Sequence, residues 1–319
     1  MGREEPARYR GAEDGGTAMP GQRRSGLVLY PALSRRAGGL SLGVNLFPDG
    51  KRCSFDCAYC EVLPGSGRFP FSLEALESDL AAWAERAENG GGRGLVDPDL
   101  LPRDIAFAGD GEPTLSPFLE AAIESVAAVR SRWPRVFGTS KIVLITNSTG
   151  FLDAAMAATL KRAVSLHGLE VWAKLDAGTE AWYRRIDRRG PEFEGLFEAL
   201  LAFARRSPLV IQSMFCRVAG AQGDSPGAML DPPESEIDAW IGRLVDLVSG
   251  GARLDGLQVY TQSRNSPHRL TEPLDDDRLV AIARRAAVAI EARFAAASAA
   301  IPIRVFGRQS ELDVSGGPP

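Results

Sequence analysis

Three of the chain's four cysteines lie in one short segment, Cys53-Ser54-Phe55-Asp56-Cys57-Ala58-Tyr59-Cys60. The segment follows a strand-like run over residues 40–47 and a turn at Pro48-Asp49-Gly50. Three thiolates on one loop can reach a single metal centre. A closed structural zinc site needs four ligands, and an ordinary iron–sulfur cluster is also held by four cysteines. An iron cluster held by only three cysteines would therefore keep one iron open for chemistry.

Two other interpretations of the cysteines remain open. A zinc site would need a distant fourth ligand, for which the candidates are Cys216, His167 and His268. A disulfide framework is disfavoured, because a chain of this length with four cysteines and no secretory signal is typical of a cytoplasmic protein. Cys216 itself is expected to be a small core residue.

Length and composition restrict the class of protein. A chain of 319 residues allows one large domain or two ordinary ones, and a single α/β barrel fits this length. Its 45% hydrophobic and 24% charged residues are typical of a soluble globular protein, without an apolar run of the ~20 residues that a membrane helix needs. The formal net charge of −4 does not indicate a nucleic-acid binder, although it leaves room for a local basic patch.

Strand-like and helix-like runs alternate from Leu40 onward, which is typical of βα units. Strands are expected at residues 40–47, 104–108, 141–146, 169–175, 208–215, 256–260 and 301–306. Helices are expected near residues 72–88, 117–132, 153–165, 193–206, 234–248 and 276–297. Ser72 suits the first helix as N-cap, and Ser116 with Pro117 suits the second.

This alternation predicts an α/β fold. With no glycine-rich nucleotide fingerprint after the first strand, the units favour a partial (β/α)6 barrel over a doubly wound sheet, as one main domain at residues 36–306. Residues 1–35 are predicted to form a disordered arm whose apolar segment docks, and the alternative is an arginine-bearing arm that contacts an anionic substrate. Residues 217–233 are predicted to form a structureless lid loop, and residues 307–319 a disordered tail.

Polar residues follow the ends of the expected strands, where such barrels carry their reactive groups. They are Gly109, Asp110, Gly111, Glu112, Asn147, Lys174, Asp176, Gln212 and residues 260–264. The glycines permit a close approach to a ligand, and Glu112 can accept hydrogen bonds from an ammonium group; the alternative is an ordinary turn. Alternation along the strand places Lys174 on the side of Trp172, where it contacts a ligand or pairs with Asp176 or Glu112. Asn147 is either a ligand contact or part of a helix cap.

The densest basic cluster of the barrel region follows the fourth expected strand. It comprises Arg184, Arg185, Arg188 and Arg189, next to Trp182 and Tyr183. Guanidinium groups beside aromatic rings can bind phosphate and stack on bases, which makes Arg184, Arg185 and Arg188 candidate substrate residues. The alternative is a solvated face whose charge is partly offset by acidic neighbours.

The cysteine segment resembles the signature loop of the radical S-adenosylmethionine (SAM) superfamily, including Tyr59 before the last cysteine. Further resembling motifs are SLGVN at residues 41–45, FAGDGEPT at 107–114, ITNS at 145–148 and WAKLDAG at 172–178. Together they resemble the uncharacterised Fe–S oxidoreductase branch that is related to wyosine-forming tRNA-modifying enzymes. The resemblance runs from about residue 40 to residue 306.

The resemblance implies a fold, two cofactors and a reaction. It implies a six-unit barrel open on one side, with a 4Fe-4S cluster held by Cys53, Cys57 and Cys60 and with SAM on the open iron. A one-electron reductant such as flavodoxin or ferredoxin would drive cleavage of SAM to methionine and a 5'-deoxyadenosyl radical, which abstracts hydrogen from the substrate. Gly109–Glu112 would bind the amino group of SAM, and Tyr59 and Phe55 would flank the cluster and the adenine.

The resemblance leaves the substrate open. A tRNA base, a small metabolite and a peptide side chain all remain candidates. The family more often has two adjacent glycines before the glutamate, whereas Asp110 stands between them here. With one further cysteine in the chain, a second cluster held only by cysteines is excluded. The alternative class is a zinc-binding or Fe–S electron-transfer protein without SAM chemistry.

Overall fold

The computed structural model describes residues 26–62, 65, 69–90, 95–220, 227–294 and 301–314. Within them the strands are β1 (Leu29–Ser34), β2 (Gly39–Val44), β3 (Asp104–Phe107), β4 (Lys141–Thr146), β5 (Leu169–Lys174), β6 (Leu209–Met214), β7 (Cys216–Ala219), β8 (Met229–Leu230), β9 (Leu254–Tyr260), β10 (Thr271–Pro273), β11 (Ile303–Phe306) and β12 (Glu311–Leu312). The helices are α1 (Leu73–Gly90), α2 (Leu119–Arg132), α3 (Pro134–Phe137), α4 (Ala154–His167), α5 (Glu180–Ile186), α6 (Phe193–Ala204), α7 (Glu234–Ser249) and α8 (Asp276–Phe294). Short 3-10 helices lie at Pro98–Leu100, Pro113–Leu115 and Thr149–Leu152.

One large sheet organises the fold, in the order β1-β2-β3-β4-β5-β6-β9-β11-β12. Neighbouring strands from β2 to β11 are parallel, and only the edge pairs β1–β2 and β11–β12 are antiparallel. Parallel neighbours need long crossovers, and helices supply them here. The predicted α/β class is confirmed.

The sheet curls into a half-barrel. Arg304 of β11 donates a hydrogen bond to the backbone carbonyl of Arg36, in the turn between β1 and β2 near the opposite edge of the sheet (3.1 Å). Arg36 also donates to the side chain of Gln212 in β6 (3.1 Å). These contacts bring distant strands together across the interior, so that the predicted partial barrel is also confirmed.

The two faces of the sheet have different neighbours because side chains alternate along each strand. Ile105, Phe107 and Leu144 belong to the main core. The alternate positions Ala106, Val143 and Trp172 form a separate small cluster on the other face. Trp172 and Lys174 alternate with Val171 and Ala173, as the sequence predicted, and this inner face surrounds the interior of the half-barrel.

The helices begin close to the predicted positions. The Ser72 hydroxyl accepts a hydrogen bond from the backbone N–H of Ala75 (3.3 Å), which confirms the predicted cap of α1. The second helix begins at Leu119, later than expected, because Ser116 accepts from the backbone N–H of Phe118 in the preceding turn. No helix within the described ranges is both long and apolar enough to cross a membrane.

Part of the predicted disordered arm is a strand. Residues 29–34 form β1, which pairs with β2 from Leu29 opposite Val44 to Ser34 opposite Gly39. The pairing is possible because the Tyr30 ring lies against Gly43, where an added Cβ would be 2.1 Å from the ring. The prediction of disorder is therefore wrong for residues 31–34, whereas Leu29 and Tyr30 belong to the apolar segment that was predicted to dock. Residues 1–25 lie outside the described ranges.

The predicted lid loop and tail also contain ordered segments. Strands β7 and β8, at the two ends of the lid loop, pair with each other, and β10 adds to β7 to make a small antiparallel sheet. In the tail, β12 pairs with β11 and Glu311 accepts hydrogen bonds from Arg304 (2.8 Å). The predictions of a structureless loop and of a disordered tail are wrong for these strands, because backbone pairing satisfies their polar groups. Residues 221–226 and 315–319 lie outside the described ranges.

Trp240 of α7 offers a test of this packing. It is fully buried, and its indole N–H donates to the Ser213 hydroxyl (3.0 Å) and to the Leu175 carbonyl (3.2 Å). Trp240→Phe is expected to lower the free energy of unfolding by about 1–3 kcal/mol, because buried acceptors lose their donor. Urea-induced unfolding would measure the change.

Trp172→Phe is the matched control. The Trp172 indole donates at 3.3 Å to Glu170, a partly exposed carboxylate that keeps its ion pair with Lys141. We expect a smaller loss of stability here. An equal or greater loss than for Trp240→Phe would show that the buried hydrogen bonds of Trp240 do not carry the effect.

Candidate functional site

A cavity of about 320 Å³ occupies the interior of the half-barrel. Its walls include Ala106, Ile145 and Met214, which lie at or near the carboxyl ends of β3, β4 and β6. Tyr59 and Cys60 line the same cavity. The structure therefore brings part of the cysteine segment and the ends of the parallel strands to one place.

Each of the three cysteine thiols has a different polar neighbour. Cys53 is exposed, and the side-chain amide of Asn147 lies 3.7 Å from its sulfur. Cys57 is half-buried and donates to a carboxylate oxygen of Asp187 (3.2 Å). Burial, followed by the charge of Asp187, raises the pKa of the Cys57 thiol well above its usual value.

The third thiol, that of Cys60, accepts a hydrogen bond from the Lys51 ammonium group (3.4 Å). Among the residues that the structure describes, no three His, Cys, Asp or Glu side chains are grouped closely enough to hold a single metal ion. This holds for Cys53, Cys57 and Cys60 as well as for the candidate zinc ligands Cys216, His167 and His268. Cys216 is buried in β7, and burial raises the pKa of its thiol.

The segment Gly109–Glu112 contacts the backbone directly before the cysteines. The N–H of Arg52 donates to the Asp110 carbonyl (3.0 Å), and the N–H of Glu112 donates to the Arg52 carbonyl (2.8 Å). An added Cβ at Gly111 would lie 2.0 Å from the Arg52 carbonyl oxygen. Gly111 is therefore required by the close approach of two backbone segments.

The Asn45 side chain contacts the first half of the same motif, Gly109 and Asp110. Its side-chain oxygen accepts from the Asp110 N–H (3.0 Å), and its amide donates to the Asp110 carboxylate (3.0 Å). At Gly109 an added Cβ would lie 2.5 Å from that Asn45 oxygen. The predicted cofactor contacts of Gly109 and Asp110 stay predictions, beside these observed roles in packing.

Glu112 joins two strand ends. Its buried carboxylate accepts from the Thr146 hydroxyl (2.6 Å), the Asn147 N–H (2.7 Å) and the Thr114 hydroxyl (2.7 Å). Burial raises the pKa of Glu112, although these hydrogen bonds oppose the shift. The turn-capping alternative is thus present, since Glu112 also accepts from the Thr114 N–H that begins the short helix. The predicted contact with an ammonium group of SAM stays a prediction.

Asn147 connects the cysteine segment to the end of β4. Its amide donates to the Ser54 hydroxyl (2.9 Å), while its side-chain oxygen accepts from the Thr149 hydroxyl (2.7 Å). The next residue, Ser148, has a left-handed φ of 72°. Asn147 is therefore held between two loops, and its predicted contact with a ligand stays a prediction.

Lys174 and Asp176 form the predicted ion pair. The ammonium group lies 3.0 Å from Asp176 Oδ2 and donates to the Tyr260 hydroxyl at 2.5 Å. It also lies over the rings of Tyr59 and Tyr260, at 4.9 Å and 5.1 Å from their centroids. The Tyr59 hydroxyl donates to the same Asp176 oxygen (2.5 Å).

The charge of Asp176 raises the pKa of both Lys174 and Tyr59. Burial, the largest single influence, lowers the pKa of Lys174, but Asp176 together with Tyr260 and Cys57 outweighs it, so that the pKa of Lys174 is raised. Burial, and then Asp176, raise the pKa of the Tyr59 phenol. The cluster holds Tyr59, and with it one wall of the cavity, in a fixed position.

The predicted substrate arginines have partners within the protein. Arg184 pairs with Glu180 (2.6 Å), Arg185 donates to the Ala219 carbonyl (3.1 Å), and Arg188 lies 3.4 Å from an Asp56 carboxylate oxygen. These three arginines are not among the described residues that line the cavity. Their contact with a substrate stays a prediction.

Three other arginines line the cavity: Arg35, Arg36 and Arg264. The sequence interpretation named neither Arg35 nor Arg36 as a site residue; it offered only, as an alternative, an arginine-bearing arm at residues 1–35 that contacts an anionic substrate. The dipeptide Gly38-Gly39 was an available signal, since glycine pairs favour hairpin turns. Both glycines have positive φ, of 76° and 155°.

Two curated proteins are similar to this sequence, while no family model matches it. Both are named UPF0026 protein and come from Helicobacter pylori, with 29% identity over 186 residues in strain J99 and 28% over 180 residues in strain 26695. Each match covers 56% of this chain and 52% of the relative. The chain therefore spans about half the length of the curated relatives it matches.

Among solved structures, the chain is similar to a radical SAM methyltransferase from Sphaerobacter thermophilus. The TM-score is 0.46 at 14% sequence identity, and the match covers 84% of this chain and 67% of that chain.

Gly111→Ala tests the contact that anchors the cysteine segment. We expect the free energy of unfolding to fall by about 1–3 kcal/mol, because the added methyl group meets a backbone carbonyl that cannot move without breaking hydrogen bonds. Gly242→Ala in α7 is the control, since its Cβ would meet nothing within 4 Å. It should gain about 0.5–1 kcal/mol in urea-induced unfolding. Equal stability of the two variants would contradict the anchoring role.

Lys174→Met tests the buried ion pair. The free energy of unfolding is expected to fall by about 3–5 kcal/mol, because the buried Asp176 carboxylate loses its counter-charge. The double variant Lys174→Met/Asp176→Asn should recover part of that loss. A double-mutant cycle in urea would measure the coupling, and strictly additive losses would show that the pair does not act as a unit.

Proposed function

We propose that this protein is a radical SAM enzyme, in which Cys53, Cys57 and Cys60 hold a 4Fe-4S cluster beside the cavity. One observation carries the proposal: Tyr59 and Cys60 line a cavity that the ends of the parallel strands also line. A three-cysteine segment at that place leaves an open iron next to room for a ligand. A protein that only carries electrons has no need of such a cavity.

The donor types suit a cluster of this kind, although the three thiols are not grouped closely enough in this structure to hold one metal ion. Three thiols lie on one loop, and Cys53 is exposed, so that iron and sulfide can reach it. Hydrogen bonds to cluster sulfurs tune such sites, and Lys51 and Asn147 provide donors to Cys60 and Cys53. The remaining cysteine, Cys216, is buried in β7 and engaged in the small sheet.

When bound, the reduced cluster would supply the electron that cleaves SAM into methionine and a 5'-deoxyadenosyl radical, which takes hydrogen from the substrate. The chain's own part is to position the reactants and to exclude water. Lys174 and Asp176 hold the Tyr59 ring against the cavity. Asn147 holds Ser54, next to the first cysteine.

The motifs resemble the Fe–S oxidoreductase branch related to wyosine-forming enzymes, which suggests oxidoreductase-like chemistry. A one-electron reductant such as flavodoxin or ferredoxin would then deliver the electron. The site contacts proposed for SAM are Tyr59, Gly109, Asp110, Gly111, Glu112, Asn147, Lys174 and Asp176.

The test is anaerobic reconstitution with iron and sulfide, followed by dithionite and SAM, with 5'-deoxyadenosine assayed by chromatography. We expect 5'-deoxyadenosine to form in the wild-type protein. A complete iron cluster without any 5'-deoxyadenosine would overturn the SAM chemistry. Bound zinc in place of iron would favour the zinc-binding alternative.

Cys57→Ala tests the ligand assignment directly. It is expected to lose the iron and the ability to form 5'-deoxyadenosine while the barrel stays folded, because Cys57 lies on a loop that packs against the main core and is not part of a strand. Cys216→Ala is the control and should bind as much iron as the wild type. Iron content and circular dichroism would be measured for both. Full iron in Cys57→Ala would refute the assignment.

A further inference from the structure

The turn between β1 and β2 carries two arginines into the cavity. Arg36 lies over the Tyr260 ring, 4.7 Å from its centroid, and Arg35 approaches the Thr261 carbonyl (3.5 Å). Tyr260 also accepts the hydrogen bond from Lys174, which lies over Tyr59. Arg36 is therefore connected through Tyr260 to the cluster of Lys174, Asp176 and Tyr59, and Arg35 lies beside the next residue, Thr261.

Neither arginine forms an ion pair with another residue that the structure describes. Among the described residues, no carboxylate lies within salt-bridge distance of Arg35 or Arg36. Arg36 donates to Gln212, which is uncharged. The third arginine of the cavity, Arg264, differs because it pairs with Glu61 at 2.7 Å.

Arg35 also has an unfilled hydrogen-bonding position. Its Nη1 atom is buried and has no hydrogen-bond partner among the described residues. Burial, followed by the charge of Arg36, lowers the pKa of Arg35. The carboxylate of Asp276, which lies beyond salt-bridge distance, opposes this shift. A buried charged donor without an acceptor is costly, and a bound anion would remove that cost.

We propose that Arg35 and Arg36 bind a carboxylate or phosphate group of the substrate, and hence that the substrate is an anionic small molecule. The assignment of this ligand as substrate rests on the function proposed above. Guanidinium groups suit planar carboxylate and phosphate oxygens because they donate two hydrogen bonds in parallel. A cavity of about 320 Å³ is of the size that accommodates a small ligand.

The test is anion binding to the reconstituted full-length protein under anaerobic conditions. Inorganic phosphate and malonate serve as probes for the two anion types, and isothermal titration calorimetry gives their Kd values and that of SAM. In Arg35→Gln and Arg36→Gln we expect the Kd of at least one probe to rise roughly 10- to 100-fold, with the Kd of SAM unchanged. Whether phosphate or malonate shows the effect identifies the anion.

Two further variants control for indirect effects. Arg162→Gln removes an exposed arginine of α4 that pairs with Glu120, and it should bind both probes like the wild type. Arg35→Lys keeps the positive charge without the paired donors. Its Kd for the anion probe that responds should therefore lie between those of the wild type and Arg35→Gln. Circular dichroism would verify that each variant is folded.

Several results would overturn the inference. One is that neither probe binds the wild type, and another is that both bind Arg35→Gln and Arg36→Gln unchanged. An increase only in the Kd of SAM would assign the arginines to the carboxylate of SAM instead. A short single-stranded RNA would be tested in parallel. If the arginine variants lost affinity for this RNA alone, the arginines would be assigned to nucleic acid.

Measuring 5'-deoxyadenosine on the same samples separates the two proposals. Arg35-dependent anion binding without 5'-deoxyadenosine formation in the wild type would refute the radical chemistry and keep the anion site. Normal 5'-deoxyadenosine formation without anion binding would refute the anion site alone.

Discussion

Two backbone hydrogen bonds between Arg52 and the segment after β3 determine the geometry of the candidate site. They fix the residue before Cys53 against the Asp110 carbonyl and the Glu112 N–H. Glu112 continues the connection to Asn147 at the end of β4, and Asn147 returns to Ser54. The cysteine segment is thus held by a closed set of hydrogen bonds, in addition to the packing of Phe55 in the main core.

Charge is distributed unevenly around the cavity. Lys174 with Asp176 and Arg264 with Glu61 neutralise each other within ion pairs. Arg35 and Arg36 have no such partners among the described residues, despite lying beside the same space. In a partly buried region, where charges are screened less than at the surface, this imbalance favours a negatively charged ligand.

The parallel strands were predictable from the sequence to within a few residues, because strands covered on both faces need nearly continuous apolar runs. Period-two alternation also predicted that Lys174 and Trp172 share a face. The first strand was missed, since its pattern is short and its partner positions depend on Gly43 receiving the Tyr30 ring. The position of Arg36 depends on the curl of the whole sheet, which brings it to Gln212, far away in the sequence. No local pattern encodes such a contact.

The glycine motif shows why residue type alone could not assign the site. A glycine permits close approach, but the sequence does not say whether a ligand or the protein itself approaches. At Gly111 the neighbour is the Arg52 carbonyl, and at Gly109 it is Asn45. Both glycines thus already have protein neighbours that forbid a side chain. Recognition of a substrate then falls to groups whose hydrogen bonds and charges the fold leaves unmatched, and beside this cavity those groups include Arg35.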